Sequence, residues 1–149
     1  MKQIAKNFLV PFVIVIGTFY VYSIYENAGG EGSKFPDVVE ISVSDAYEAY
    51  IDNNVIFVDA RSSEFFQKEH ITNAISLPYE TRVTWTWEQI PNPQNIGYLI
   101  TYCDGEICSL GITQARYMSE DLGINPIYHL TGGIYSWIAT GYPITRGES

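Results

Sequence analysis

Two apolar runs without a charge, Val55-Ile56-Phe57-Val58 and Tyr98-Leu99-Ile100-Thr101-Tyr102, restrict the fold of this chain more than anything else in it. A strand that is apolar on both faces has to be covered on both faces, which is the situation of inner strands in a parallel sheet. Each run leads toward a helical segment: the capped stretch Ser62 to Lys68 after the first, and an amphipathic stretch from Ser109 to Leu122 after the second. Shorter strands are expected at Val38–Ile41, Ala74–Leu77 and Pro126–Tyr128. Further helices are expected from a Ser44-Asp45 cap to Asn53-Asn54, and from Gly133 to Thr140. Tyr79 to Ile90 reads as helical but aromatic and irregular, ending at Pro91-Asn92-Pro93. Strands separated by helices predict an α/β fold with a parallel sheet between two helical layers.

The chain has 149 residues, 46% hydrophobic and 17% charged, enough for one ordinary core and a tail. Its formal charge is -9, with acidic residues spread along the domain, so the electrostatic footprint of a nucleic-acid binder is missing. The tail is N-terminal. Residues Phe8 to Tyr25 carry no charge, and as a helix they span roughly 27 Å against a hydrocarbon core of ~30 Å. Lys2 and Lys6 precede this run and Glu26 and Glu31 follow it, so the positive-inside rule places the N-terminus in the cytoplasm and the rest outside. The expected organisation is a single-pass transmembrane anchor over 1–27, a flexible Gly-rich linker over 28–34, and a folded domain over 35–149, periplasmic or extracellular. A cleaved signal peptide competes with this reading, but no small-x-small site closes the apolar run.

The chemistry is expected where the second long strand stops. Cys103 follows Tyr102, and Asp104-Gly105-Glu106-Ile107-Cys108-Ser109 lead into the next helix. The unpaired amides and dipole of a helix's first turn favour an anion, so a cysteine facing them is held as the reactive thiolate, and the strand-end position predicts that the Cys103 sulfur is open to solvent. Asp59 and Arg61 end the strand at Val55–Val58, on the carboxyl edge where ligands bind in open parallel sheets; an ion pair and a substrate-facing role both fit. His70 and His129 could join the cysteines in a metal site, but the cysteine spacing is not that of a zinc knuckle and no third local ligand accompanies them. Trp85 and Trp87 read as core packing or as an exposed rim, and Arg82 is the basic residue of that segment.

The order of several short motifs resembles a rhodanese domain, the sulfurtransferase fold. They are Val58-Asp59-Ala60-Arg61, His70-Ile71 with Ala74-Ile75 and Leu77-Pro78, Tyr102-Cys103, Leu130-Thr131-Gly132-Gly133-Ile134, Trp137 and Gly141-Tyr142-Pro143. The resemblance implies a five-stranded parallel sheet between helices, and a catalytic Cys103 that takes up a sulfur atom as a persulfide and passes it on. It implies that the amides of Asp104 to Ser109 hold the persulfide and that His70 makes a structural hydrogen bond, while Asp59 and Arg61 stay open between a structural ion pair and a place behind the loop or facing the substrate. The six residues from Cys103 to Cys108 match the loop length that suits sulfur transfer in this family, whereas phosphatases of the same fold use a longer loop with an arginine near its end. No tightly bound cofactor or metal is implied, because the persulfide is a covalent form of the protein.

This loop departs from the commonest rhodanese pattern: it is acidic, its glycine comes third, and Cys108 stands where arginine is often found. Each carboxylate at roughly 7 Å disfavours a thiolate by about 0.6 to 2.4 kcal/mol, while the helix terminus favours it by about 0.3 to 2 kcal/mol. A dianion such as thiosulfate is therefore expected to be a poor donor. Cys108 can be a resolving thiol, a passive small residue or one half of a permanent bridge. Three functions follow: a membrane-anchored extracytoplasmic sulfurtransferase with a sulfane-sulfur donor and a thiol or protein acceptor, a thiol-disulfide redox module using Cys103 and Cys108, and a non-catalytic docking subunit of a membrane complex.

Overall fold

Strand β5 (Tyr98–Tyr102) lies in the middle of a five-stranded sheet ordered β1-β6-β5-β2-β4, in which every pairing is parallel. A computed structural model describes residues 38–91 and 97–147. The apolar run from Phe8 to Tyr25, the linker at 28–34, the start of the domain at Phe35 and the stop at Asn92-Pro93 lie outside these residues. Among the described residues no helix is long and apolar enough to cross a membrane.

The remaining sheet strands are β1 (Val39–Ile41), β2 (Val55–Asp59), β4 (Ile75–Ser76) and β6 (Ile127–Leu130). The helices are α1 (Val43–Ile51), α2 (Ser63–Lys68), α3 (Leu110–Glu120) and α4 (Gly133–Ala139). The two apolar runs pair side by side from Val55 with Tyr98 to Asp59 with Tyr102, so Asp59 and Tyr102 end together at the carboxyl edge. Alternation along the strands divides the core in two, as a sheet buried on both faces requires. Val58, Leu99 and Ile127 pack with Ile112, Ala115 and Met118 of α3, whereas Phe57, Ile100, Tyr128 and Leu130 pack with Ala46 of α1 and Ile134 and Trp137 of α4. Trp137 is the centre of the second layer. It meets Phe57, Tyr47 and Tyr142 edge-on at 5.0, 5.9 and 5.1 Å between ring centroids, and its indole N–H donates to the carbonyl of Pro143. Trp137 and the Gly141-Tyr142-Pro143 turn are thus coupled by one hydrogen bond and one aromatic contact.

Locally, one expectation is corrected, one is given its form, and one pairing is new. The first helix is capped by Ser42 rather than by Ser44-Asp45: the Ser42 hydroxyl accepts from the Asp45 amide at 3.1 Å. The stretch Tyr79 to Ile90 is helical and irregular as expected, in the form of two 3-10 pieces, Tyr79–Thr84 and Trp87–Gln89. Its threonines explain part of this, since the hydroxyls of Thr81 and Thr84 donate to the carbonyls of Pro78 and Thr81 three residues back. An antiparallel pair outside the main sheet, β3 (Glu69–Ile71) with β7 (Ile144–Arg146), was not expected.

Candidate active site

Cys103 is placed by three elements that meet at the carboxyl edge. Strand β5 delivers it, the amide of Ala60 after β2 donates to the Tyr102 carbonyl at 2.9 Å, and the first turn of α4 takes the next two carbonyls. The Ile134 amide donates to the Cys103 carbonyl and the Tyr135 amide to the Asp104 carbonyl, both at 2.9 Å. This contact needs glycine at Gly133, whose φ of +56° is left-handed and whose position leaves no room for a Cβ: one built there meets the Cys103 carbonyl oxygen and lies 2.8 Å from the Asp104 carbonyl. Gly133→Ala is expected to cost about 1 to 3 kcal/mol from the backbone conformation alone. Urea denaturation reads the loss, and an unchanged midpoint would show that α4 and the loop separate easily.

In the loop itself, Cys103 and Cys108 are joined by a disulfide, with Cα atoms 6.3 Å apart, within the ordinary range for a bridge. The expectation that the Cys103 sulfur is open to solvent is therefore corrected for this state: Cys103 is 0% exposed, while Cys108 is half-buried. The expected ring of amides around the sulfur is corrected too. Among the described residues no loop amide donates to Cys103 Sγ, whose polar contact is the Cys108 carbonyl oxygen at 3.0 Å. A bridged sulfur has no charge for amides to hold, and the bond turns it toward the end of the loop. The donors are nevertheless present. The Cys108 amide is used by the Gly105 carbonyl at 3.0 Å, whereas the amides of Asp104, Gly105, Glu106, Ile107 and Ser109 have no acceptor among the described residues. Ser109 is the N-cap of α3 and makes no side-chain cap bond, so the positive end of that helix adjoins the loop without a side-chain cap. Ile107 is 101% exposed at the loop tip, and Glu106 is exposed beside it.

Behind the loop, Asp59 and Arg61 are 0% and 3% exposed. Arg61 Nη2 and Nε donate to the Asp59 carboxylate at 2.8 and 3.0 Å, the Arg61 amide donates to the same carboxylate at 2.9 Å, and Nη2 also reaches the Glu69 carbonyl at 2.7 Å. The remaining guanidinium nitrogen lies 3.4 Å from Asp104 Oδ1. The pair is thus a buried scaffold whose outer arm touches the residue after Cys103. Burial acts to lower the Arg61 pKa, but the hydrogen bond and charge of Asp59 outweigh it, and the net shift is upward. Tyr102 lies under the same pair, and burial, followed by the charge of Asp59, pushes its phenol well above its usual value. The sequence counted Asp104 and Glu106 as two unscreened charges. Arg61 partly neutralises the first.

A family model described as a rhodanese-like domain matches residues 42–140, most of the chain. The chain belongs to the rhodanese-like family. An uncharacterised protein of Buchnera aphidicola subsp. Baizongia pistaciae is 27% identical over 96 residues, which cover 62% of this chain and 61% of that relative, less than two thirds of the relative's length. A thiosulfate sulfurtransferase from Pseudomonas aeruginosa superposes with a TM-score of 0.63 at 22% identity, covering 75% of this chain and 21% of that one. A Rhodopseudomonas palustris protein of unknown function, described as a possible tyrosine phosphatase, superposes with a TM-score of 0.58 at 20% identity over 96% of this chain and 100% of its own. At these identities the likeness is one of fold.

Elsewhere in the rhodanese-like domain the structure decides several other residues. His70 makes its structural bond, Nδ1 to the Phe66 carbonyl at 2.8 Å, and stacks on the Phe66 ring. Arg82 packs over the Tyr79 ring and donates to the Tyr79 carbonyl, and Trp85 is buried edge-on against Tyr117. Among the described residues no group of three or more His, Cys, Asp or Glu side chains is gathered to hold a metal.

Sequence reasoning missed the way α3 rests on the sheet below the loop. Thr101 Oγ1 donates to the Gly111 carbonyl at 2.8 Å, and a Cβ on Gly111 would stand 2.7 Å from Cε1 of His129. Gln114, fully buried, donates to the Leu77 carbonyl at 2.8 Å. Burial lowers the His129 pKa from 6.5 to about 4, and its Nδ1 is buried without a partner among the described residues. The unfolded chain therefore binds the extra proton first as pH falls. Stability is expected to drop between pH 6.5 and 4, at up to ~1.4 kcal/mol per pH unit, and His129→Leu should flatten that slope relative to the wild type. Urea midpoints across this window decide it; parallel profiles for the two proteins would contradict it.

Proposed function

We propose that this rhodanese-like domain is a sulfurtransferase that, once its loop is reduced, carries sulfane sulfur as a persulfide on Cys103. The observation that supports this most directly is the placement of Cys103: at the end of the central strand, with its carbonyl fixed by α4, unpaired loop amides beside it and the uncapped end of α3 ahead of it. Such donors stabilise an anionic outer sulfur without a side chain in its way. Asp104, Gly105, Glu106, Ile107, Cys108 and Ser109 form the persulfide loop, and Asp59 with Arg61 positions it. The exposed Ile107 and Tyr135 give the rim an apolar character suited to a small thiol or a protein thiol as acceptor. Phosphate chemistry fits less well. The loop has no basic residue, and Arg61 is spent on Asp59, the Glu69 carbonyl and Asp104.

The same proposal places the domain outside the cytoplasm on a single-pass anchor, for which the support is the uncharged run Phe8 to Tyr25 and its flanking charges. The bridged cysteines also favour a second reading, a thiol-disulfide redox module, because such a bond persists in oxidising compartments. The test that separates the two is a single turnover. Reduced Cys108→Ser protein loaded with inorganic polysulfide should convert cyanide to thiocyanate, and Cys103→Ser should form none; thiocyanate from Cys103→Ser at the level of the Cys108→Ser protein would end the transfer reading.

Thiosulfate is expected to load the reduced protein slowly. Removing both loop carboxylates, as Asp104→Ser with Glu106→Ser, should raise that rate about tenfold, the scale of two weakened repulsions on a dianion. A fast thiosulfate reaction indifferent to the double substitution would show that loop charge does not select the donor.

A further inference from the structure

The cysteine pair carries an activity that sulfur transfer alone does not require. We infer that Cys108 resolves the Cys103 persulfide within the chain, so that the domain reduces sulfane sulfur and releases it as hydrosulfide. This rests on the persulfide reading above and extends it.

Two observations support it. First, Cys108 Sγ is bonded to Cys103 Sγ, so the loop brings the second thiol onto the inner sulfur of a persulfide, the atom whose attack expels the outer one. Second, the two sulfurs differ in access: Cys103 is fully enclosed and Cys108 is half-buried. An external thiolate therefore reaches Cys108, and the sulfur that leaves is Cys103, beside the unpaired amides and the α3 terminus that favour its thiolate. Each turn of the cycle restores the nucleophile.

The steps balance. The Cys103 thiolate attacks the terminal sulfur of a polysulfide, the sulfur–sulfur bond behind that atom breaks, and a polysulfide one sulfur shorter leaves, so that Cys103 becomes the persulfide. The persulfide takes up a proton from water, the Cys108 thiolate attacks its inner sulfur, the bond between the inner and outer sulfurs breaks, and the outer sulfur leaves with the electron pair and that proton as hydrosulfide. The outer sulfur is reduced by two electrons, and the two cysteine sulfurs are oxidised to the disulfide. One thiolate of a dithiol reductant then attacks Cys108 and expels the Cys103 thiolate, and its second thiolate attacks the first, which frees the Cys108 thiolate and leaves the reductant as a disulfide. The reductant is thus a dithiol, small or carried on a protein, that can touch an exposed loop tip.

The experiment uses the full chain, reduced, freed of reductant, exposed anaerobically to limiting inorganic polysulfide and desalted at once. The wild type should release one equivalent of hydrosulfide for each chain that reacts, and those chains should end with a mass lower by two hydrogens than the reduced form. Cys108→Ser should keep the mass of one added sulfur atom, with hydrosulfide release slower by about 100-fold or more, as expected when an intramolecular nucleophile is removed. Equal release from both proteins, or a wild type that keeps a stable persulfide, would overturn the resolving role and leave the transfer reading standing. A Cys108→Ser protein that gains no sulfur would overturn both.

Discussion

Arg61→Ala is expected to destabilise the domain by about 3 to 5 kcal/mol, the loss seen when one member of a buried ion pair is removed. The size follows from what is left behind. Asp59 is 0% exposed, and without the guanidinium its charge keeps the Arg61 amide and the Tyr102 hydroxyl as donors but loses its cation. Arg61→Lys should recover only part of the loss, because an ammonium cannot span Asp59, the Glu69 carbonyl and Asp104 as the planar guanidinium does. A double change of Asp59 and Arg61 to leucine should cost less than Arg61→Ala alone, since no uncompensated charge stays buried. Equilibrium urea denaturation measures all three. A loss under 1 kcal/mol for Arg61→Ala would mean that water replaces the guanidinium, and that the loop is not braced from below.

The second large effect is an all-or-none response to the oxidation state of the loop. Bridged protein should take up no sulfur from polysulfide, because its Cys103 has neither a thiolate nor an open path to solvent. Reduction should restore the reaction with polysulfide, read as hydrosulfide released, and re-oxidation should remove it again. The thiolate is the nucleophile in such reactions, so the contrast should approach the detection limit rather than a few-fold change. Sulfur uptake by the oxidised protein at the reduced protein's rate would show that the bridge opens spontaneously and gates nothing.

The features that could be read from the sequence are those carried by local pattern. The two apolar runs at Val55–Val58 and Tyr98–Tyr102 are buried on both faces, and that property alone selects the interior of a parallel sheet. Cys103 at the end of the second run, and the Gly132-Gly133 pair, were visible as motifs. The physical need for Gly133 became clear only when α4 came to rest on the Cys103 and Asp104 carbonyls. What stayed hidden depends on long-range approach. β3 follows α2 without a break and pairs with a segment near the C-terminus, so Glu69-His70-Ile71 has no period of its own to read. Arg61 and Asp104 stand 43 positions apart, and their contact changed the charge estimate for the loop. The Ser42 cap was missed because Ser42 and Ser44 both precede the same helix, and only geometry shows which hydroxyl meets the Asp45 amide.

The most direct check is where the sulfur goes. In reduced Cys108→Ser protein treated briefly with inorganic polysulfide, peptide-level mass spectrometry should find one extra sulfur atom on the peptide bearing Cys103. No sulfur on Cys103, with the thiol intact and reduced, would contradict the assignment of this loop as a sulfur carrier.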